Sequence, residues 1–380
     1  MKDKILSAIN IIIMMTSFGY IGFRIAQTAR KIDYSEKTFL IILILGYASM
    51  AVGFIVHILL HEGGHLIAGI ISGYKFVSFR IGSLALIMNK HDKLELRKMT
   101  IMGTGGQCLM CPPDVETEKC PYKLYHSMGG LTNIFLGLLA IIFRIILPNN
   151  LVSFCFLEIF GVIGIALGLT NLIPAKNNGI QNDGYNLIDL KHNLMARECM
   201  NLVLSLNAQI TVADSYDELP KHMVDKLKHI DFTKEDTSNC SIANAFNIQA
   251  GIYFAEGNYE KAHELQKYIA NCPDILPIFK NEAKCECLFF EIINGSDSKT
   301  IDDLYDKKLQ KYITATSIYP ARNRLMYAYY KLYKKDEKKA SEYFSKLEKS
   351  VKTYIIKADA LMELDVAKNL SKSLCNNTTA

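Results

Sequence analysis

Concentrated charge is the first thing this chain lacks. Its 43 Lys and Arg stand against 38 Asp and Glu, a formal +5 over 380 residues, and no stretch gathers that excess into the basic face that nucleic acid recognition requires. Nucleic acid is therefore not expected as a partner. No G-x-x-x-x-G-K-[ST] loop occurs, so the phosphate cradle of a nucleotide-dependent enzyme is missing. No nucleophilic Ser or Cys arrangement stands out either. The 10 cysteines are scattered, and most fall where loop charges place the cytoplasm, so no disulfide framework is expected. Cys108, Cys111 and Cys120 have spacing compatible with a structural zinc. His126 is the nearest imidazole, no fourth ligand is obvious, and three free thiols in a loop are the expectation.

Charge is also missing from four long runs. Half of the residues are hydrophobic and the mean hydropathy is +0.11. The uncharged stretches lie before Ala175, whereas most Lys and Glu follow it. A bilayer crossing needs about 20 mostly apolar residues, and runs near 5–23, 38–72, 124–147 and 151–173 qualify. After Pro174 no run is long enough. The first run lacks a small-residue cleavage site and exceeds a signal core in length, so it reads as a retained helix. Glu158, in the fourth run, must face the bundle interior or water.

With four crossings, the N-terminus, the loop after Tyr74 and the C-terminal half share one side. That side holds Lys2, Lys4, Lys75, Arg80, Lys90, Lys93, Arg97, Lys98, Lys119 and Lys123, against Arg24, Arg30, Lys31, Lys37 and Arg144 on the other. The richer side should be cytoplasmic. A multi-pass protein of the cell membrane is expected, with both termini cytoplasmic, and the bias toward Ile, Lys and Asn suggests a bacterial one.

The 38–72 run contains one charged residue, Glu62, within His61-Glu62-Gly63-Gly64-His65. This is the H-E-x-x-H pattern, in which two histidines four apart project from one helical face toward a metal. Composition alone yields such a pattern in about one chain in a hundred of this kind. Zinc suits the imidazoles, and Glu62 would act as a base outside the coordination sphere. His57, one turn earlier on the same face, is a packed histidine in this reading. A catalytic zinc usually takes three protein ligands and leaves one position open, so a third must come from elsewhere. The fourth run ends in Asn171-Leu-Ile-Pro174, and Asp183-Gly184 follow nine residues after the proline.

His61-Glu62-Gly63-Gly64-His65 in an apolar span, followed by N-x-x-P and then D-G, resembles the site-2 protease family of intramembrane zinc metalloproteases over about the first 190 residues. The resemblance implies one catalytic Zn2+ held by His61, His65 and Asp183, with Glu62 as general base and acid. It implies that Asn171 holds the substrate backbone or the developing oxyanion. The family packs N-x-x-P and D-G more closely, whereas residues 175–182 intervene here. Gly129-Gly130-Leu-Thr-Asn133 is similar to the family's small-residue pair followed by Asn. Asn133 is then either near the active site or a packing residue. From Lys75 to Lys123 the alternation, with a turn at Gly103-Thr-Gly105-Gly106, predicts strands and hairpins. The resemblance implies a sheet beside the cleft, where an unwound substrate adds as a strand.

From Lys191 onward the chain is amphipathic and helical in pattern. Phe246, Ala250, Tyr253, Gly257, Tyr259 and Ala262 fit a tetratricopeptide-like helix pair, with a poorer echo through Met326, Ala328, Ala340 and Phe344. An irregular helical bundle is the alternative. The tract Lys331–Lys352 is read as a solvated helix face, and the polar tail Ser371–Ala380 as disordered.

The expected fold is mainly α. A polytopic transmembrane helix bundle with a small β-hairpin insertion (1–190) precedes a soluble all-α, tetratricopeptide-like domain (191–380). The expected activity is zinc-dependent hydrolysis of a membrane-inserted peptide or protein, with the lipid bilayer and a protein bound to the helical domain as partners. A catalytically inactive receptor or peptide-handling protein on the same scaffold is the competing reading. A diiron oxidase needs more histidine boxes than this chain supplies.

Overall fold

A computed structural model describes residues 2–32, 36–98, 105–148, 150–177 and 180–377. The chain is mainly helical with a small antiparallel sheet, and it divides into two units. The first comprises 1–87 and 100–194, the second 88–99 and 195–380.

Four helices in the first unit are long and apolar enough to cross a membrane: Ile5–Thr28, Phe39–Ile71, Thr117–Ile146 and Phe154–Leu172. They belong to α1 (Lys2–Ile32), α2 (Glu36–Ile71), α3 (Tyr122–Ile146), the short α4 (Leu151–Ser153), a π-helical turn (Phe154–Glu158) and α5 (Ile159–Leu172). Their outward faces are as apolar as their cores, with Met15, Ile44, Phe135 and Ile145 among many exposed side chains. Helices that are hydrophobic all round need an apolar surrounding medium.

The crossing of α3 and α5 rests on small residues. A Cβ at Gly137 would lie 2.8 Å from the Gly161 carbonyl oxygen, and one at Gly161 would lie 2.8 Å from that of Gly137. In lipid, where apolar side chains gain little by leaving the solvent, such close backbone packing holds helices together. Glu158 faces the interior. It pairs with Arg24 (2.9 Å from Nη2 to Oε2) and Arg144 (3.3 Å) and accepts from the Tyr20 hydroxyl at 3.0 Å. Two basic residues counted on the less basic side thus share one buried carboxylate.

Between α2 and α3 lie β1 (Lys75–Ile81), β2 (Leu84–Met88), β3 (Leu94–Lys98) and β4 (Gly106–Cys111), in spatial order β3-β2-β1-β4. Phe79 sits opposite Leu86 on one side and Cys108 on the other. Gly82, at φ +56°, makes the β1–β2 turn. In the turn expected at Gly103–Gly106, Gly103 and Thr104 lie outside the described residues, and Gly106 opens β4. The chain then runs through β5 (Lys176–Asn177), β6 (Ile180–Gln181) and α6 (Asp183–His192).

The second unit is built from α7 (Leu194–Val212), α8 (Lys221–Lys228), α9 (Cys240–Ala255), α10 (Tyr259–Asn271), α11 (Pro277–Ile293), α12 (Ser298–Leu304), α13 (Lys307–Ala315), α14 (Pro320–Ala328), α15 (Glu337–Thr353) and α16 (Lys357–Asn377). Local chemistry sets these boundaries. Gly257 ends α9 at φ +76°, the Asn258 N–H bonds back to the Tyr253 carbonyl at 2.9 Å, and the Asn258 side chain caps α10. This is the left-handed glycine termination followed directly by an N-cap. Phe246, Ala250 and Ala262 are fully buried in this pair, and Ala328 and Ala340 in α14 and α15. The tail departs from expectation: α16 continues through 371–377, and the Ser371 hydroxyl lies 2.5 Å from that of Tyr327. An anchored side chain prolongs the helix that composition alone would end.

Candidate metal centre

His61 and His65, one turn apart on α2, send both imidazoles off the same face. Their Nε2 atoms are 3.1 Å apart. Asp183, the first residue of α6, brings Oδ2 to 3.3 Å from His61 Nε2 and 3.1 Å from His65 Nε2. Among the described residues these three form the group able to hold a metal ion, with ligand atoms all within 4.8 Å of one another.

Asp183 reaches this point because of the segment that interrupts the expected spacing. Within this segment β5 and β6 pair antiparallel, with Lys176 opposite Gln181 and Asn177 opposite Ile180. Asn182 ties its ends together. Its side chain caps α6 by accepting from the Tyr185 N–H, accepts from the Ala175 N–H at 3.0 Å, and donates to the Ile173 and Thr170 carbonyls at 2.8 and 3.0 Å. The start of α6 is thus clamped to the end of α5. Gly184 lets the two meet, since a Cβ there would fall 2.1 Å from the Leu172 carbonyl oxygen.

Hydrogen bonds around the histidines direct their lone pairs. The Tyr125 carbonyl lies 2.7 Å from His65 Nδ1, so Nδ1–H donates to it and the Nε2 lone pair faces the cluster. The Asn133 carboxamide lies between His57 Nδ1 (3.2 Å) and His61 Nδ1 (3.4 Å), and His57 Nε2 is 3.0 Å from the Phe160 carbonyl. As placed, Oδ1 faces His57 and Nδ2 faces His61, but the oxygen and nitrogen of a carboxamide exchange places by a half-turn. With its oxygen toward His61, every group is paired. His61 Nδ1–H donates to Asn133, Asn133 donates to His57 Nδ1, and His57 Nε2–H donates to Phe160. His61 Nε2 then also faces Asp183 with a free lone pair.

Burial alone would raise the Asp183 carboxyl, but positive charge on His65, with His126 and His61 beside it, outweighs that and holds it well below the usual carboxylate range, and a cation held between neutral imidazoles would act in the same sense. Asp183 is an anion. Asn171 donates a hydrogen bond to Asp183 Oδ2, and its Nδ2 lies 3.2 Å from His61 Nε2. His126 Nδ1 lies 3.9 Å from Asp183 Oδ1.

The three side chains fit zinc in donor type and in shape. Two imidazole nitrogens and one carboxylate oxygen are a familiar catalytic set. Their separations of 3.1, 3.1 and 3.3 Å approach the roughly 3.3–3.4 Å edge of a tetrahedron whose ligands stand about 2.0–2.1 Å from zinc. The space beside them is kept open by a glycine. A Cβ at Gly129 on α3 would lie 2.4 Å from His65 Nε2 and 2.7 Å from His61 Nε2.

The Glu62 side chain lies against the sheet. A Cβ at Gly106, the first residue of β4, would come within 2.8 Å of Glu62 Cγ and Oε1. Of the residues singled out from sequence, His61, His65, Asp183, Glu62, Asn171 and Asn133 are brought together here. His57 contacts Asn133 and lies outside the metal group, and Cys108 and Cys120 pack with Tyr74, Met110 and Tyr125. Sequence reading weighed His126 only beside the cysteines and missed its place near Asp183, the Tyr125 carbonyl and the particular role of Gly129. Only the spacing was available as a signal, with His126 three residues before Gly129 and seven before Asn133. Compared with protein-family models, curated proteins and solved structures, the chain matches none of them.

Proposed function

We propose that this protein is an intramembrane zinc metalloendopeptidase. It hydrolyses peptide bonds in or next to a transmembrane segment of a membrane-bound regulator or peptide precursor. The observation that carries the reading is the convergence of His61, His65 and Asp183 in a near-equilateral triangle, with Glu62 adjoining His61 in sequence on the same apolar helix.

Zinc bound there supplies a Lewis acid toward a water molecule and a peptide carbonyl. The chain's own residues do the rest. Glu62 takes the proton from the attacking water as its oxygen bonds to the carbonyl carbon, and returns it to the amide nitrogen as the C–N bond breaks. Asn171, held against Asp183, offers its remaining N–H to the carbonyl oxygen as charge develops there. A transmembrane helix shields its peptide bonds with its own hydrogen bonds, so a substrate must be unwound and its freed groups satisfied. β4 is an edge strand lying against Glu62, and an extended segment added to it has its backbone paired beside the base. Counted from Phe39, His61 lies roughly 33 Å along α2 at about 1.5 Å per residue, near a membrane face that water reaches. The loop charges make that face cytoplasmic, together with both chain ends. The second unit, with its tetratricopeptide-like α9–α10 spacing, serves a protein or peptide partner.

Reconstitution with labelled single-span peptides in vesicles tests the reading. Cleavage by the parent, its abolition by a chelator and its loss in Glu62→Gln are the expected results. Undiminished cleavage by Glu62→Gln would overturn it.

A further inference from the structure

The second unit encloses a cavity of about 260 Å3 among α9, α10, α11, the start of α14 and α16. Glu282, Glu286, Asp359 and Glu363 line it, and among the described residues no lysine, arginine or histidine does. Two arginines stand behind these carboxylates. Arg322 pairs with Glu282 and, at 3.9 Å, with Glu286, whereas Arg324 pairs with Glu286 (2.6 Å) and with Glu363. Both are fully buried, and Arg324 also lies 3.8 Å from the Phe289 ring centroid. Two cations thus face four carboxylates. Asp359 is the one that neither arginine touches: it accepts from the Tyr216 hydroxyl at 2.7 Å, and among the described residues no cation pairs with it.

A second, independent feature points the same way. Gln266 lines the cavity at 5% exposure, and its Oε1 has no hydrogen-bond partner. A buried amide oxygen without a donor costs roughly 1–3 kcal/mol, which a ligand N–H removes. Half-buried Asn247 also lines the cavity, and its side chain has no partner among the described residues. Phe254, Phe290 and Met362 form an apolar wall of the kind along which a long basic side chain lays its methylenes while its charged end meets a carboxylate. The volume is just below the roughly 300–1,000 Å3 of small-molecule sites, enough for one side chain.

We propose that this cavity is a recognition site for a lysine or arginine side chain of an extended peptide. Asp359 and Glu363 receive the cation, the Gln266 oxygen accepts an N–H, and Asn247 pairs with a peptide group of the bound segment. An amide able to serve a peptide group distinguishes this ligand from a free amine, which has no carbonyl to offer. Burial holds the unpaired Asp359 carboxyl up at about 6, the strain that an incoming cation relieves. The proposal stands apart from the chemistry of the membrane site.

Calorimetric titration of the full-length protein in detergent, near neutral pH, tests it with acetylated, amidated Gly-Ala-Lys-Ala-Gly and its arginine and norleucine counterparts. One lysine or arginine peptide per chain is expected, with norleucine weaker by roughly ten- to a hundredfold, the worth of a hydrogen bond to a charged group. Asp359→Asn should weaken lysine binding by a similar factor. Gln266→Met should do so too and serves as the readout if Asp359→Asn does not fold. His65→Ala should leave binding unchanged. Equal affinity for lysine and norleucine, or unaltered binding in the cavity variants, overturns the proposal. So does loss of binding in His65→Ala, or cadaverine binding as tightly as the peptides.

Discussion

Glu62 follows His61 by one residue, a rotation of about 100° around α2, and this separates the base from the ligands. Glu62→Gln should therefore keep about one zinc per chain while hydrolysis falls by roughly 10²- to 10⁴-fold, the usual worth of general acid–base catalysis. Metal analysis and a cleavage assay on the same preparation check this, and zinc lost along with activity would contradict it. In the proposed centre Asn133 would act on the metal through His61. Its replacement by Ala removes the acceptor of His61 Nδ1–H, and zinc affinity should fall about 10- to 100-fold by chelator competition. Gly129→Ala sets two effects in opposition. Alanine favours a helix over glycine by about 1 kcal/mol, yet here its Cβ would stand 2.4 Å from His65 Nε2. Weakened zinc binding is expected, and undiminished affinity would mean that α3 does not border the site.

At the scale of elements, the apolar runs were legible because a crossing helix announces itself by length and absence of charge, and all four appear as helices. The motif on α2 was legible because one turn of helix fixes which residues share a face. The position of Asp183 was harder to read, because the β5–β6 pairing and the Asn182 clamp decide it and neither leaves a periodic signal. The place of His126 was hidden for a similar reason: its nearness to Asp183 depends on how α3 and α6 pack. Glu158 shows what a charge in a span requires. Removing one partner of a buried ion pair costs about 3–5 kcal/mol, so Glu158→Gln, which leaves Arg24 and Arg144 without their anion, should lower the melting temperature in detergent. An unchanged melting curve would mean that the pair is wet.

Across the whole molecule the two units differ in what pH does to them. The buried carboxyl of Asp359 titrates at about 6 in the fold, above its unfolded value near 3.9. Between those values the native state binds more protons than the unfolded chain, so this group's share of stability falls as pH rises from about 4 to about 6 and stays low beyond. Burial raises Glu363 in the same direction. Asp183 has the opposite sign: its depressed carboxyl contributes stability above the unfolded value that is lost as pH falls below it. Melting the parent and Asp359→Asn at pH about 5 and about 8 should show a smaller decline in the variant, and identical declines would contradict the unpaired state of Asp359. The central claim is the three-ligand centre itself. Elemental analysis of the detergent-purified parent, Glu62→Gln, His65→Ala and Asp183→Ala addresses it most directly. About one zinc per chain is expected in the first two and none in the others, as for a site needing three protein ligands; a parent without zinc, or zinc retained without Asp183, would contradict it.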